Sequence, residues 1–133
     1  MNLARFRIVP MLLVMGAIFF LSHQPGNELR LPAFPGSDKV AHCIVYTVLG
    51  LTVILAHKKR SWLEKTRNVS LTTVLATLLY GISDEFHQYF IPGRYPSIAD
   101  IVADTLGGLI TVLFFSYMVK RCHRLAAVER ERL

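Results

Sequence analysis

Residues 40–68 read VAHCIVYTVLGLTVILA followed by HKKRSWLEKTRN, an apolar run of seventeen that breaks abruptly into a basic stretch. The run is free of Asp, Glu, Lys and Arg, and it approaches the ~20 residues an α-helix needs to cross a ~30 Å hydrocarbon layer. The stretch behind it sets Lys58, Lys59, Arg60, Lys65 and Arg67 against the single Glu64. That composition belongs to a loop held on the cytoplasmic side of a membrane. Three further apolar segments flank this pair, at about 6–22, 69–90 and 98–119. The first has the basic start and short apolar run of a signal peptide. However, Leu21-Ser22-His23-Gln24-Pro25 offers no small-residue cleavage site, so an uncleaved helix is expected.

Charge orients the four segments. Arg5 and Arg7, the five cations of the middle loop, and Lys120, Arg121, Arg124, Arg130 and Arg132 of the tail make twelve of the fifteen Lys and Arg residues on one side. The other side has Arg30, Lys39 and Arg94. The expectation is an all-α fold, a polytopic membrane four-helix bundle with N and C termini cytoplasmic. It forms a single domain over 1–133, with 120–133 a basic cytoplasmic tail serving as a solvated anchor. The loops at 23–37 and 91–97 then face outward, and the expected localisation is a cytoplasmic membrane. Composition agrees: hydrophobic residues are 53% and charged residues 18%, more apolar surface than a soluble chain of this size disperses in water. The net charge of +6 is accounted for by orientation, and no basic stripe with interleaved aromatics suggests nucleic acid. Cys43 and Cys122 lie toward opposite membrane faces and cannot pair. The sequon Asn68-Val69-Ser70 falls in the cytoplasmic loop, where it is a chance match.

The later segments carry unusual polar content. Asp38, Lys39, His42 and Tyr46 open the second, and Asp38, His42 and Tyr46 follow at four-residue intervals on one face. Tyr80, Asp84, Glu85, His87 and Gln88 close the third. Arg94 and Ser97 lie in the outer loop, and Asp100 and Asp104 open the fourth above Gly107-Gly108 and Thr111. Small residues at that position let helices approach closely. Three segments thus deliver ionisable groups to one depth on the outer side. Asp38, Lys39 and Asp100 have an ordinary explanation as interfacial residues near helix ends. It does not extend to His42 and Asp104, which lie about a turn deeper, or to Asp84, an anion at the wrong end of a helix dipole.

Five carboxylates face Lys39 and Arg94, an excess of three negative charges. A partly desolvated site must protonate a group or bind a cation. Three accounts follow. In one, His42, Asp84, His87, Asp100 and Asp104 hold a divalent cation as cofactor and the chain is a metal-dependent membrane hydrolase, although no H-E-x-x-H-like spacing fixes the ligands. In another, the carboxylates grip a cationic group while Lys39 and Arg94 clamp a phosphate. In the third, a buried ion-pair network locks the helices. Ion transport is disfavoured, because no ionisable residue lies in the cytoplasmic half of any segment.

Ser22-His23-Gln24-Pro25, Asp38-Lys39-Val40-Ala41-His42 with Tyr46 and Leu49-Gly50, Tyr80-Gly81-Ile82-Ser83-Asp84-Glu85-Phe86-His87-Gln88 with Ile91-Pro92-Gly93-Arg94 and Ser97, and Asp100-Ile101-Val102-Ala103-Asp104-Thr105-Leu106-Gly107-Gly108 together resemble the VanZ-like family, in the right order over 22–109. The family pattern often places an apolar residue where His87 stands and Asn where Asp104 stands. The resemblance implies an envelope role and, through the family's namesake, an effect on susceptibility to the lipoglycopeptide teicoplanin. The combined expectation is a pocket between the second, third and fourth segments that binds, and in an enzyme processes, a polyprenyl- or phospho-linked headgroup. Asp84, Glu85 and His42 are its candidate catalytic groups. Asp38, Lys39, Tyr46, Gln88, Arg94, Ser97, Asp100 and Asp104 are its candidate ligand-binding groups, and membrane lipids are the expected partners.

Overall fold

A computed structural model of the chain describes residues 5–26 and 34–131, and every regular element among them is a helix. A 3-10 turn, Arg5–Ile8, leads into α1, Val9–Ser22, with Pro10 in the first turn, where a missing N–H goes unnoticed. Next comes α2, Ser37–Ala56, three residues earlier than its apolar run begins. Gly36 turns the chain there with a φ of 80°, a conformation that costs glycine little. Asp38 in the first turn faces the positive end of the helix dipole.

The basic stretch expected as a loop contains a short helix, α3, Lys59–Glu64. Two local contacts hold it. Arg60 Nε donates to both oxygens of Glu64 at 2.8 and 2.9 Å, and Trp62 Nε1 donates to the Ile54 carbonyl at 2.9 Å while its ring meets Phe115 edge-on. Then follow α4, Thr66–Gln88, and α5, Ile98–Glu131. Ser97 caps α5, its Oγ accepting the Ala99 N–H at 3.1 Å. The apolar pattern ends near Val119, yet α5 continues through the basic tail. Residues 120–131 contain no Gly or Pro and are mostly good helix formers.

In the packed molecule α2 lies against both α4 and α5, α4 against α5, and α1 against α2. At Gly107 α5 comes close against the α2 backbone, where an added Cβ would stand 2.5 Å from the Cys43 carbonyl oxygen. Ile18, Tyr46, Leu49 and Val53 form one buried apolar cluster, and Ile54, Val69, Phe115 and Val119 form a second near α3. Between them the interior is polar. Thr73, Thr77 and Thr111 are fully buried, and their hydroxyls are satisfied by backbone carbonyls, Thr111 reaching Thr47 O on α2 at 2.9 Å.

The outer faces are apolar. Ile44, Leu51 and Leu55 of α2, Leu71, Leu75 and Leu79 of α4, and Leu113 and Phe114 of α5 are all exposed. Two helices, Ser37–Ala56 and Ile98–Arg130, are long and apolar enough to cross a membrane, and their apolar windows are 33% and 39% buried. A core helix of a soluble protein would be mostly covered; these are not. Phe6–Ser22 is apolar but shorter.

Candidate functional site

Four helix ends meet at one end of the molecule: the C-termini of α1 and α4 and the N-termini of α2 and α5. His42 and Asp104 join α2 to α5, Nδ1 to Oδ1 at 2.9 Å. One turn nearer the end, Lys39 Nζ bridges Asp38 Oδ2 at 2.8 Å and Asp100 Oδ1 at 3.0 Å. Glu85 closes α4 against α5 by accepting the Ser97 N–H on Oε2 at 2.7 Å. A carboxylate is unfavourable at the end of its own helix, but Glu85 sits at the start of the next, where the dipole attracts it. Gln88 Nε2 donates to Asp84 Oδ2 at 3.1 Å and lies 3.4 Å from Glu85 Oε1. The depth of Asp104 depends on Gly81, where any Cβ would stand 2.6 Å from Asp104 Oδ2.

Asp84, Glu85, Gln88, Asp100 and Asp104 are all buried, and Tyr46 is 1% exposed. Two buried polar atoms have no hydrogen-bond partner among the described residues: the Tyr46 hydroxyl and Asp104 Oδ2. The Tyr46 ring stacks on that of His42, with centroids 6.3 Å apart and planes at 10°. Both line a cavity of about 140 Å³, with Asp38, Asp84, Gln88 and Arg94 providing its other ionisable or amide groups. Ile18, Leu21 and Val45 supply an apolar wall.

The location of this cavity corrects the expectation that the pocket lies between the second, third and fourth segments. Its walls come from α1, α2 and α4, and the two aspartates of α5 stand behind His42 and Lys39 rather than in the lining. Arg94 lines the cavity, but its Nε and Nη2 donate to the carbonyls of Gln24 and Leu21 at 3.1 and 2.9 Å. It therefore fixes the end of α1. The Ser97 hydroxyl is engaged as the α5 cap. His87 faces away from the carboxylates, its Nε2 3.3 Å from His23 Nδ1 with Phe19 stacked beside it. Tyr80, expected on the same face as Asp84, instead donates to the Met15 carbonyl at 2.6 Å. Ser22, 5% exposed and part of the lining, is a site residue that charge and spacing did not single out. A lone serine closing an apolar run was its signal.

No curated protein and no solved structure matches this chain. A family profile described as VanZ/LLP1 matches residues 6–120, a range that takes in all the helix ends around the cavity. The chain belongs to the VanZ/LLP1 family.

Proposed function

We propose that this chain is an integral protein of the bacterial cytoplasmic membrane, and that its cavity binds the polar headgroup of a lipid or lipid-linked cell-wall precursor. In this reading α1, α2, α4 and α5 all span, both termini are cytoplasmic, and the cavity opens outward. The basic residues of α3 and of the α5 tail lie at the opposite end of the helices from the carboxylates, as positive-inside orientation requires. Exposed Tyr89, Phe90 and Tyr95 ring the cavity end at a level suited to an interfacial aromatic belt.

The observation that carries the proposal is the Tyr46 hydroxyl, buried without a partner on a side chain that lines a largely apolar cavity edged by polar groups. An unmet hydroxyl in such a place costs about 1–3 kcal/mol, and a ligand removes that cost. About 140 Å³ is well below the ~300–1,000 Å³ of pockets for drug-sized molecules. The cavity therefore takes one small polar group, leaving the ligand's acyl or prenyl chain against the exposed apolar faces.

The test is native mass spectrometry of protein extracted with its lipids. The wild type should retain a lipid that Tyr46→Phe retains far less, while the empty variant is at least as stable as the empty wild type, because the change removes an unmet polar group and no bond within the protein. Equal retention by both would overturn the reading and leave the cluster as a structural network. A headgroup-binding role in the envelope also predicts altered teicoplanin susceptibility on deletion, measured as inhibitory concentration.

A further inference from the structure

We propose that His42, Glu85 and Asp100 bind a single divalent transition-metal ion, each contributing one ligand atom from a different helix. One ligand atom of each residue lies within 4.8 Å of the others. Ligands around one zinc or manganese ion are spaced about 3–3.5 Å apart, so the side chains close in by about 1 Å on binding. This inference goes beyond headgroup binding and holds whatever the cavity takes.

In each residue the protein already holds one donor atom and leaves the other open. His42 Nδ1 is held by Asp104 at 2.9 Å, the carboxylate–histidine arrangement that orients an imidazole and frees Nε2 for a metal. Glu85 Oε2 is held by the Ser97 N–H, leaving Oε1 with a single 3.4 Å contact from Gln88. Asp100 Oδ1 is held by Lys39, and Oδ2 has no hydrogen bond among the described residues. One nitrogen and two carboxylate oxygens suit Zn²⁺ or Mn²⁺.

Two separate observations call for such an ion. Asp84, Glu85, Asp100 and Asp104 are four buried carboxylates. Among the described residues Lys39 is the one Lys or Arg paired with any of them, since Arg94 is turned onto the carbonyls of Leu21 and Gln24. Unpaired buried charge is costly, and a divalent cation offsets two units of it. The second is the Tyr46 hydroxyl, 1% exposed, unpartnered, and lining the cavity beside the His42 ring it stacks on. A water held in the position that three protein ligands leave open would give that hydroxyl a partner.

The test is calorimetric titration of chelator-stripped, detergent-purified protein with ZnCl2, and separately with MnCl2. Wild type should bind one ion per chain. Glu85→Gln and Asp100→Asn should each bind at least about ten-fold more weakly, the usual loss when a metal site is damaged. His23→Ala, which removes half of the exposed His23–His87 pair, should bind as wild type does. Both amide variants keep side-chain size; Glu85→Gln removes a crowded negative charge, so its metal-free melting should match or exceed that of the metal-free wild type, while Asp100→Asn gives up the Lys39 ion pair and should melt a little lower yet stay folded. A measurement on wild type alone covers the case of a variant that fails to fold: spin-echo modulation of bound Mn²⁺ should reveal one histidine nitrogen. No binding by wild type, unchanged binding by the folded amide variants, loss on His23→Ala, or no nitrogen coupling would each overturn the proposal.

Discussion

Gly107 and Asp104 illustrate how single atoms govern the α2–α5 contact. At Gly107 the nearest atoms to an added Cβ are backbone, Cys43 O at 2.5 Å and Thr47 N at 2.8 Å, and backbone cannot swing aside as a side chain can. Gly107→Ala should therefore destabilise by about 1–3 kcal/mol, the usual cost of overpacking, read as a lower melting temperature in detergent. Gly16→Ala is the control. Its Cβ would meet nothing within 4 Å, and the change should be neutral or stabilising by about 0.5–1 kcal/mol, because glycine weakens a helix interior. Asp104→Ala should cost about 1–3 kcal/mol, since it leaves His42 Nδ1 without its partner in a buried site. Asp104→Asn keeps an acceptor oxygen there and should lose less, measured by the same melts.

At the scale of elements, α3 and the end of α5 look alike in sequence, both basic and both beyond an apolar run, but their packing separates them. α3 is tied down by Trp62, whose indole N–H reaches Ile54 O and whose ring meets Phe115. Trp62→Ala should cost about 2 kcal/mol, less than the 3–5 kcal/mol of a fully buried aromatic because this ring is half-buried. Residues 121–130 of α5 are all exposed. A helix of 34 residues is about 50 Å long, well beyond a ~30 Å hydrocarbon layer, so in the proposed reading this part lies outside it. Ending the chain at Lys120 should leave the detergent melting temperature unchanged, and a drop of more than a few degrees would mean the tail packs on the bundle. In vesicles containing anionic lipid the same truncation should weaken tethering, because each basic residue near such a surface contributes about 1 kcal/mol.

The whole molecule buries threonines and carboxylates beside its two apolar clusters and leaves many leucine, isoleucine and phenylalanine side chains on its outer faces. That arrangement is consistent with a low-dielectric surrounding. In water the exposed apolar faces would drive association, and in lipid they cost nothing. Sidedness is tested at two exposed positions, Cys122 in the tail and Tyr95 in the loop before α5. A membrane-impermeant maleimide added to intact spheroplasts should label Tyr95→Cys in a Cys122→Ser background and spare the native Cys122. The reverse pattern would invert the orientation and move the cavity mouth to the cytosol.

The apolar runs at 40–56 and 98–119 and the motifs that mark the family were legible directly, because hydrophobic length and residue identity are one-dimensional properties. So was the convergence of Asp38, Lys39, His42, Asp84, Glu85, Asp100 and Asp104 at one level, since helical rise converts position into depth. Helix limits were less legible. Hydropathy marks where apolar residues stop, whereas the backbone of α5 keeps its hydrogen bonds through a polar stretch, and α3 forms because Trp62 finds Phe115 across a helix interface. Partners were not legible at all. That Arg94 bonds the end of α1, that Ser97 caps α5, that α1 walls the cavity, and that the Tyr46 hydroxyl is left unmet all depend on how the helices are rotated about their own axes. Rotation is set by side chains packing between segments far apart in the chain, with Gly81 and Gly107 admitting close neighbours, and that information exists only once the helices have met.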